Sequence, residues 1–269
     1  MSDTPRDSGQ DGARDQYDLY VGYLPVPRRY VKFVRVVVPV TLWVLAMLAL
    51  GWASRQGDPG GAVWEDEAPK TFAGTIVSKP YPLLLEQSDG GSPGGNGQVV
   101  GGVTPRLIVE GGKHGGQRAA PFDQQFVMVR GYRLTRDGRE IIELAEGKDA
   151  IAPAQGVPRT ELKAAFSGLV TLRGEIVDSK CYLGAMKPGE GKTHKACASL
   201  CVRGGIPPML VTLAPDGTLS YTIIAKTETE PVGEEILEYV GDEVIVQGQG
   251  FELGGIRFIG VANGSIRRP

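Results

Sequence analysis

The sequence predicts a mainly β chain: a single N-terminal transmembrane helix followed by two tandem OB-like small β-barrels, with a β-sandwich as the alternative arrangement. Three observations lead there. An apolar run, Val36 to Ala53, follows a basic segment. Gly (39) and Pro (19) make up about a fifth of the 269 residues, against a usual share of roughly 12%, which disfavours a helical bundle and favours short strands joined by turns. The chain beyond the apolar run also repeats its own strand motifs.

Residues 1–35 read as a cytoplasmic tail. Its start carries Asp3, Asp7, Asp11, Asp15 and Asp18 among Ser and Gly, too little apolar surface to order. Arg28, Arg29, Lys32 and Arg35 then precede the apolar run with no acid among them. Residues 36–53 fall within the span of about 17–25 that crosses the hydrocarbon. Basic residues stay on the cytoplasmic side. The expectation is a single-pass bacterial inner-membrane protein, held in the membrane through Val36–Ala53, with the bulk of the chain in the periplasm. A cleaved signal peptide is the competing reading, with small residues at Ala49, Gly51 and Ala53. The run and its leader are both longer than such a segment, whose apolar core is about 7–15 residues.

Residues 54–70, rich in Gly, Pro and acids, read as a tether. Beyond them Gly74-Thr75-Ile76-Val77 matches Gly174-Glu175-Ile176-Val177, and Val127-Met128-Val129-Arg130-Gly131 matches Val244-Ile245-Val246-Gln247-Gly248. Seven residues after the last Gly of each pair stand Gly138 and Gly255, and Leu107-Ile108-Val109 and Leu210-Val211 occupy the middle of each unit. Matches in the same order indicate a duplicated unit. The first barrel is placed at 71–150, with strands at 72–77, 106–110, 125–133 and 140–144, and the second at 160–269, with strands at 169–177, 209–213, 219–224, 243–247 and 256–261. Asp137-Gly138 and Asp216-Gly217 signal hairpin turns. Glu234–Val240 reads as a short helix before the penultimate strand. Ser88–Gly102, with seven Gly, reads as a flexible loop in the first barrel, and Ala150–Arg159 as the linker. At about 110 residues the second barrel is expected to fold alone.

All three cysteines and one of the two histidines lie in GEIVDSKCYLGAMKPGEGKTHKACASLCVRGGIPPML, residues 174–210. Thr193 can cap a helix over 194–203, ended by Gly204-Gly205 and Pro207-Pro208. At helical spacing His194, Cys197 and Cys201 share one face, and Cys181 has enough loop to fold back to them. A Cys₃His set suits Zn²⁺, and thiolates also suit Cu(I). Asp178 can accept a bond from the second imidazole nitrogen of His194. A disulfide from Cys181 to Cys197 or Cys201, with one thiol over, is a second reading, and a redox thiol at Cys197 in the first helical turn is a third. His114, among glycines, is a secondary candidate ligand on a loop.

Several chemistries are disfavoured. Lys and Arg total 29 against 31 Asp and Glu, so there is no basic excess to neutralise phosphates, and no nucleic acid is expected as a partner. Gly189-Glu190-Gly191-Lys192-Thr193 departs from a P-loop at Met186. Cys-x-x-Cys does not occur, and no Ser/His/Asp set or arranged carboxylate pair stands out. A non-enzymatic accessory or assembly protein with an envelope protein partner, serving a membrane redox complex, fits this inventory.

The segment 177–207 resembles a pattern in small uncharacterised bacterial envelope proteins: Val-Val-Asp-x-x-Cys-aromatic-Leu, a Gly-rich loop, His-x-x-Cys-Ala-x-x-Cys, then Gly-x-Pro. Val177, Asp178, Cys181, Tyr182, Leu183, His194, Cys197, Ala198, Cys201, Gly205 and Pro207 match, and Ile176 departs conservatively at the first position. The resemblance implies an OB-like fold and no particular activity.

Overall fold

The computed structural model describes residues 28–55, 61–87, 104–110, 118–158 and 162–269. The polar start of the tail, the Ser88–Gly102 loop and His114 lie outside the described residues. The chain divides into two units, Met1–Asp58 and Pro59–Pro269.

In the first unit, helix α1 (Arg28–Ala53) begins within the basic segment and runs through the apolar one. Its Tyr30–Ala53 portion, of mean hydropathy 2.3, is long and apolar enough to cross a membrane. Leu42, Trp43 and Leu48 along it are exposed. Pro39 sits inside it, which membrane helices tolerate.

The second unit holds two closed five-stranded barrels. Strands β1 (Val63–Trp64), β2 (Lys70–Val77), β3 (Leu83–Glu86), β4 (Thr104–Glu110), β5 (Phe126–Arg136), β6 (Arg139–Leu144) and β7 (Ile151–Pro153) form the first. Its ring runs β2-β3-β4-β6-β5 and closes from β5 back to β2; β4 and β6 are parallel, and the other pairs of the ring are antiparallel. Strands β8 (Ala165–Asp178), β9 (Pro208–Leu213), β10 (Leu219–Ala225), β11 (Glu243–Leu253), β12 (Ile256–Gly260) and β13 (Ile266–Arg267) form the second. Its ring is β8-β9-β10-β12-β11, with β10 and β12 parallel. This is the five-stranded Greek-key order of an OB-like barrel, twice.

The repeated glycines have one physical reason. A Cβ on Gly74 would strike the Leu85 carbonyl, and one on Gly174 the Val211 carbonyl, where the first strand of each barrel crosses the second. Gly131 and Gly248 stand in the same way against Glu143 and Gly260. Gly138 and Gly255 make the matching hairpin tips at positive φ, 73° and 86°. Even the capping bonds correspond: Gln124 N–H reaches the Ile76 carbonyl at 2.8 Å, and Gly241 N–H the Ile176 carbonyl at 2.7 Å.

Three differences from the sequence reading stand out. Strand β3, Leu83–Glu86, was not expected, because a bare Leu run carries no β-branched signal. Val63–Trp64, within the stretch read as a tether, pairs with β5, and Ile151–Pro153, within the stretch read as a linker, does too. The helix expected at 234–240 is a single tight turn, Glu234–Glu238.

Each barrel has its own interior. Ile76, Leu84, Ile108, Val129 and Ile142 fill the first, and Ile176, Leu210, Ile224, Val246 and Ile259 the second. A third core lies between them. Leu83, Leu107 and Val109 alternate with those interior residues, point outward from β3 and β4, and pack with Met209, Tyr221 and Ile223 from β9 and β10. Both sides of these strands are therefore buried, which is why they read as continuous apolar runs. Tyr81 spans the seam, donating to the Ile224 carbonyl at 2.8 Å. OB-like barrels bind oligonucleotides on the face of strands 2 and 3. Here those faces cover each other. The seam bears on whether residues 160–269 fold alone, since part of that fragment's buried apolar surface is covered by the first barrel.

Candidate metal centre

The insertion between β8 and β9 builds the site. It opens with a wide helical turn, Cys181–Ala185, and closes with helix α2, Lys195–Arg203. Thr193 does not cap α2: the cap residue is His194, with no side-chain cap bond. The chain enters the helix through a tight turn instead, His194 N–H bonding the Gly191 carbonyl at 3.0 Å, so backbone groups take the role expected of the Thr hydroxyl. Ala198 and Val202 bury one face of α2 in the second barrel's core. That docking turns Cys197 and Cys201, one turn apart, toward Cys181.

The Gly-rich loop is tied down. A Cβ on Gly189 would strike the Cys181–Tyr182 peptide, and Gly191 N–H donates to Glu175 at 2.5 Å.

The sulfurs of Cys181, Cys197 and Cys201 all lie within 4.8 Å of one another. Cys181 is buried, Cys201 half-buried and Cys197 exposed. None is joined to another by a disulfide, so the disulfide reading is not met. Cys181 hydrogen-bonds Cys201 instead of lying at the roughly 2.05 Å of an S–S bond. That bond lowers the Cys201 thiol to about 7, aided by the Lys180 charge and by Cys197, against the opposing effect of burial. The same bond, with burial and Asp178, pushes Cys181 up. The redox reading named Cys197; Cys201, which it did not name, is held below its ordinary value.

His194 stands beside the thiol set and shares Cys181 with it. Its ligand atom groups with Asp178 and Cys181, not with Cys197 and Cys201. Asp178 is fully buried and explains the split. Its Oδ1 accepts the Cys181 N–H at 2.7 Å, and its Oδ2 lies 3.1 Å from His194 Nε2. The hydrogen bond to Asp178 raises the His194 pKa above its ordinary value despite the cost of burial. Two triads thus share Cys181: one of thiols, and one in which Asp178 sets both the Cys181 backbone and the imidazole.

The first barrel holds the Cys181 arm from outside. Lys180 Nζ bonds Glu143 of β6 at 2.8 Å, with both side chains nearly buried. Arg136 of β5 donates to the Tyr182 carbonyl at 3.1 Å, and its guanidinium lies 3.9 Å from the Tyr182 ring centroid. Gly184 passes so close to the Val63 carbonyl of β1 that any side chain there would collide with it. Sequence reasoning missed Lys180, Arg136 and Glu143, since nothing local marks a residue that acts across a seam. No family model, curated protein or solved structure matches the chain.

Proposed function

We propose that this chain is a membrane-anchored envelope protein that binds one thiophilic metal ion, Cu(I) or Zn²⁺, through Cys181, Cys197 and Cys201. We further propose that it serves a membrane redox complex as an accessory or assembly factor. The observation that carries the metal reading is the convergence of three cysteine sulfurs, none in a disulfide, from two separate elements. Thiolates select Cu(I) and Zn²⁺ over hard cations. Exposed Cys197 gives an incoming donor access to the ion, while buried Cys181 anchors it. The Asp178–His194 pair orients the set as outer carboxylates and imidazoles do in metal sites. Location rests on α1, on the basic residues ahead of its apolar stretch, and on the resemblance of residues 177–207 to envelope proteins.

The test is a titration of the purified full chain in detergent with Cu(I), and separately with Zn²⁺, under anaerobic conditions. One ion per chain is expected, with binding weakened at least 100-fold by Cys181→Ser or Cys201→Ser. Binding that survives Cys181→Ser undiminished would refute the site. A reporter fused after Pro269 is expected to be active only in its exported form; cytoplasmic activity would overturn the location. Unchanged metal content of the membrane redox complexes in a strain lacking the chain would overturn the assembly role.

A further inference from the structure

At one end of the seam, the core between the barrels opens into a cleft of about 350 Å³. The two equivalent hairpin tips meet there, Gly138 of the first barrel and Gly254-Gly255 of the second. The walls are apolar: Leu107 and Ile141 on one side, and Leu183, Met209, Ile223 and Ile256 on the other. The size lies at the small end of the roughly 300–1,000 Å³ of ligand pockets, which favour apolar seams with a few polar groups.

The charged residues lining the cleft differ in how they are paired. Arg106, 4% exposed, is bonded to Glu86 and Glu140. Glu140 is the one carboxylate of the lining and is taken by that contact. Arg139 is exposed at the rim, its guanidinium 5.6 Å from the Tyr221 ring centroid, and no carboxylate pairs with it among the described residues. Asp137, at the same rim, accepts from the Tyr221 hydroxyl rather than pairing with Arg139, so an apolar slot with a guanidinium outside any ion pair at its mouth complements a monoanion with an apolar body. The planar two-pronged fork of Arg matches a carboxylate.

We propose that the cleft binds a short-chain amphiphile with a carboxylate head, the head on Arg139 and the chain between the walls formed by Ile141 and Met209. The site shares no residue with the thiol set, so it stands or falls apart from the metal reading.

Octanoate is the probe, added to the full chain in lipid nanodiscs with ¹³C-methyl-labelled methionine. Met209 lines the cleft, so its methyl resonance reports occupancy and ignores octanoate dissolved in the lipid. A saturable shift of that resonance is expected. Arg139→Ala should weaken the response at least tenfold, and octanol should be at least tenfold weaker than octanoate. Ile256→Trp, which fills the slot, should abolish the response. A Met209 signal that does not move with octanoate overturns the proposal. So does a shift that octanol and octanoate produce alike and that Arg139→Ala leaves unchanged. If Ile256→Trp misfolds by circular dichroism, the exposed Arg139→Ala substitution and the octanol comparison still decide.

Discussion

Asp178→Ala is expected to cost about 3–5 kcal/mol of stability, read from urea unfolding of the full chain, the range for leaving a buried polar or charged partner unpaired. The side chain is fully buried, and its two oxygens have separate duties. One holds the Cys181 N–H and the other faces His194 Nε2. Alanine would leave a buried amide and a buried imidazole without partners. Asp178→Asn keeps the volume and one acceptor, so it should recover part of the loss. His194→Ala should cost less stability, because it strands only one carboxylate oxygen. It should lower metal affinity by about 10–100-fold, as loss of an outer-layer partner does, whereas Cys201→Ser removes a donor outright. Equal metal loss in His194→Ala and Cys201→Ser would show that His194 is a direct ligand and that the two triads rearrange on binding. A loss under about 1 kcal/mol for Asp178→Ala would remove it as the organiser of the site.

Residues 160–269 expressed alone are expected to be molten. Eleven of the seam residues belong to this fragment, Tyr182, Met209, Tyr221, Ile223 and Phe258 among them. Burial of a large apolar side chain contributes about 1.5–3 kcal/mol. Partial exposure of this set costs on the order of 10 kcal/mol, the size of a domain's whole stability. The fragment should bind a hydrophobic dye and lack near-ultraviolet circular dichroism, while residues 59–269 unfold cooperatively. A fragment with the same midpoint as the longer chain would show that the seam contributes little.

The duplication was legible in the sequence because the barrel demands glycine at the same crossings in each copy. Gly74 and Gly174 are fixed by backbone approach, which leaves no freedom to vary. The cysteines were legible because thiol spacing is a local property of α2 and the turn before it. The fate of His194 was not, since helical spacing alone assigned it to the thiol face. The entry turn and the pull of Asp178 send its ring elsewhere, and both depend on how residues 189–194 pack on β8. The seam was invisible for a similar reason. Leu107-Ile108-Val109 reads as one buried strand, and nothing local says that alternate residues serve two different cores.

That division of alternate residues sets an order on folding. The first barrel is complete once Ile151–Pro153 has paired with β5, yet Leu83, Leu107 and Val109 then face water with nothing to cover them. Their cover ends with Phe258. At about 5–20 residues per second of synthesis, the interval lasts roughly 5–20 seconds. Through it the nascent chain shows a sticky half-seam, a target for self-association or for a holdase. The cysteine loop is made inside the same interval, so its thiols come together on a surface that is not yet sealed, and the wall that Glu143 and Arg136 offer to Lys180 and Tyr182 is already in place to receive them.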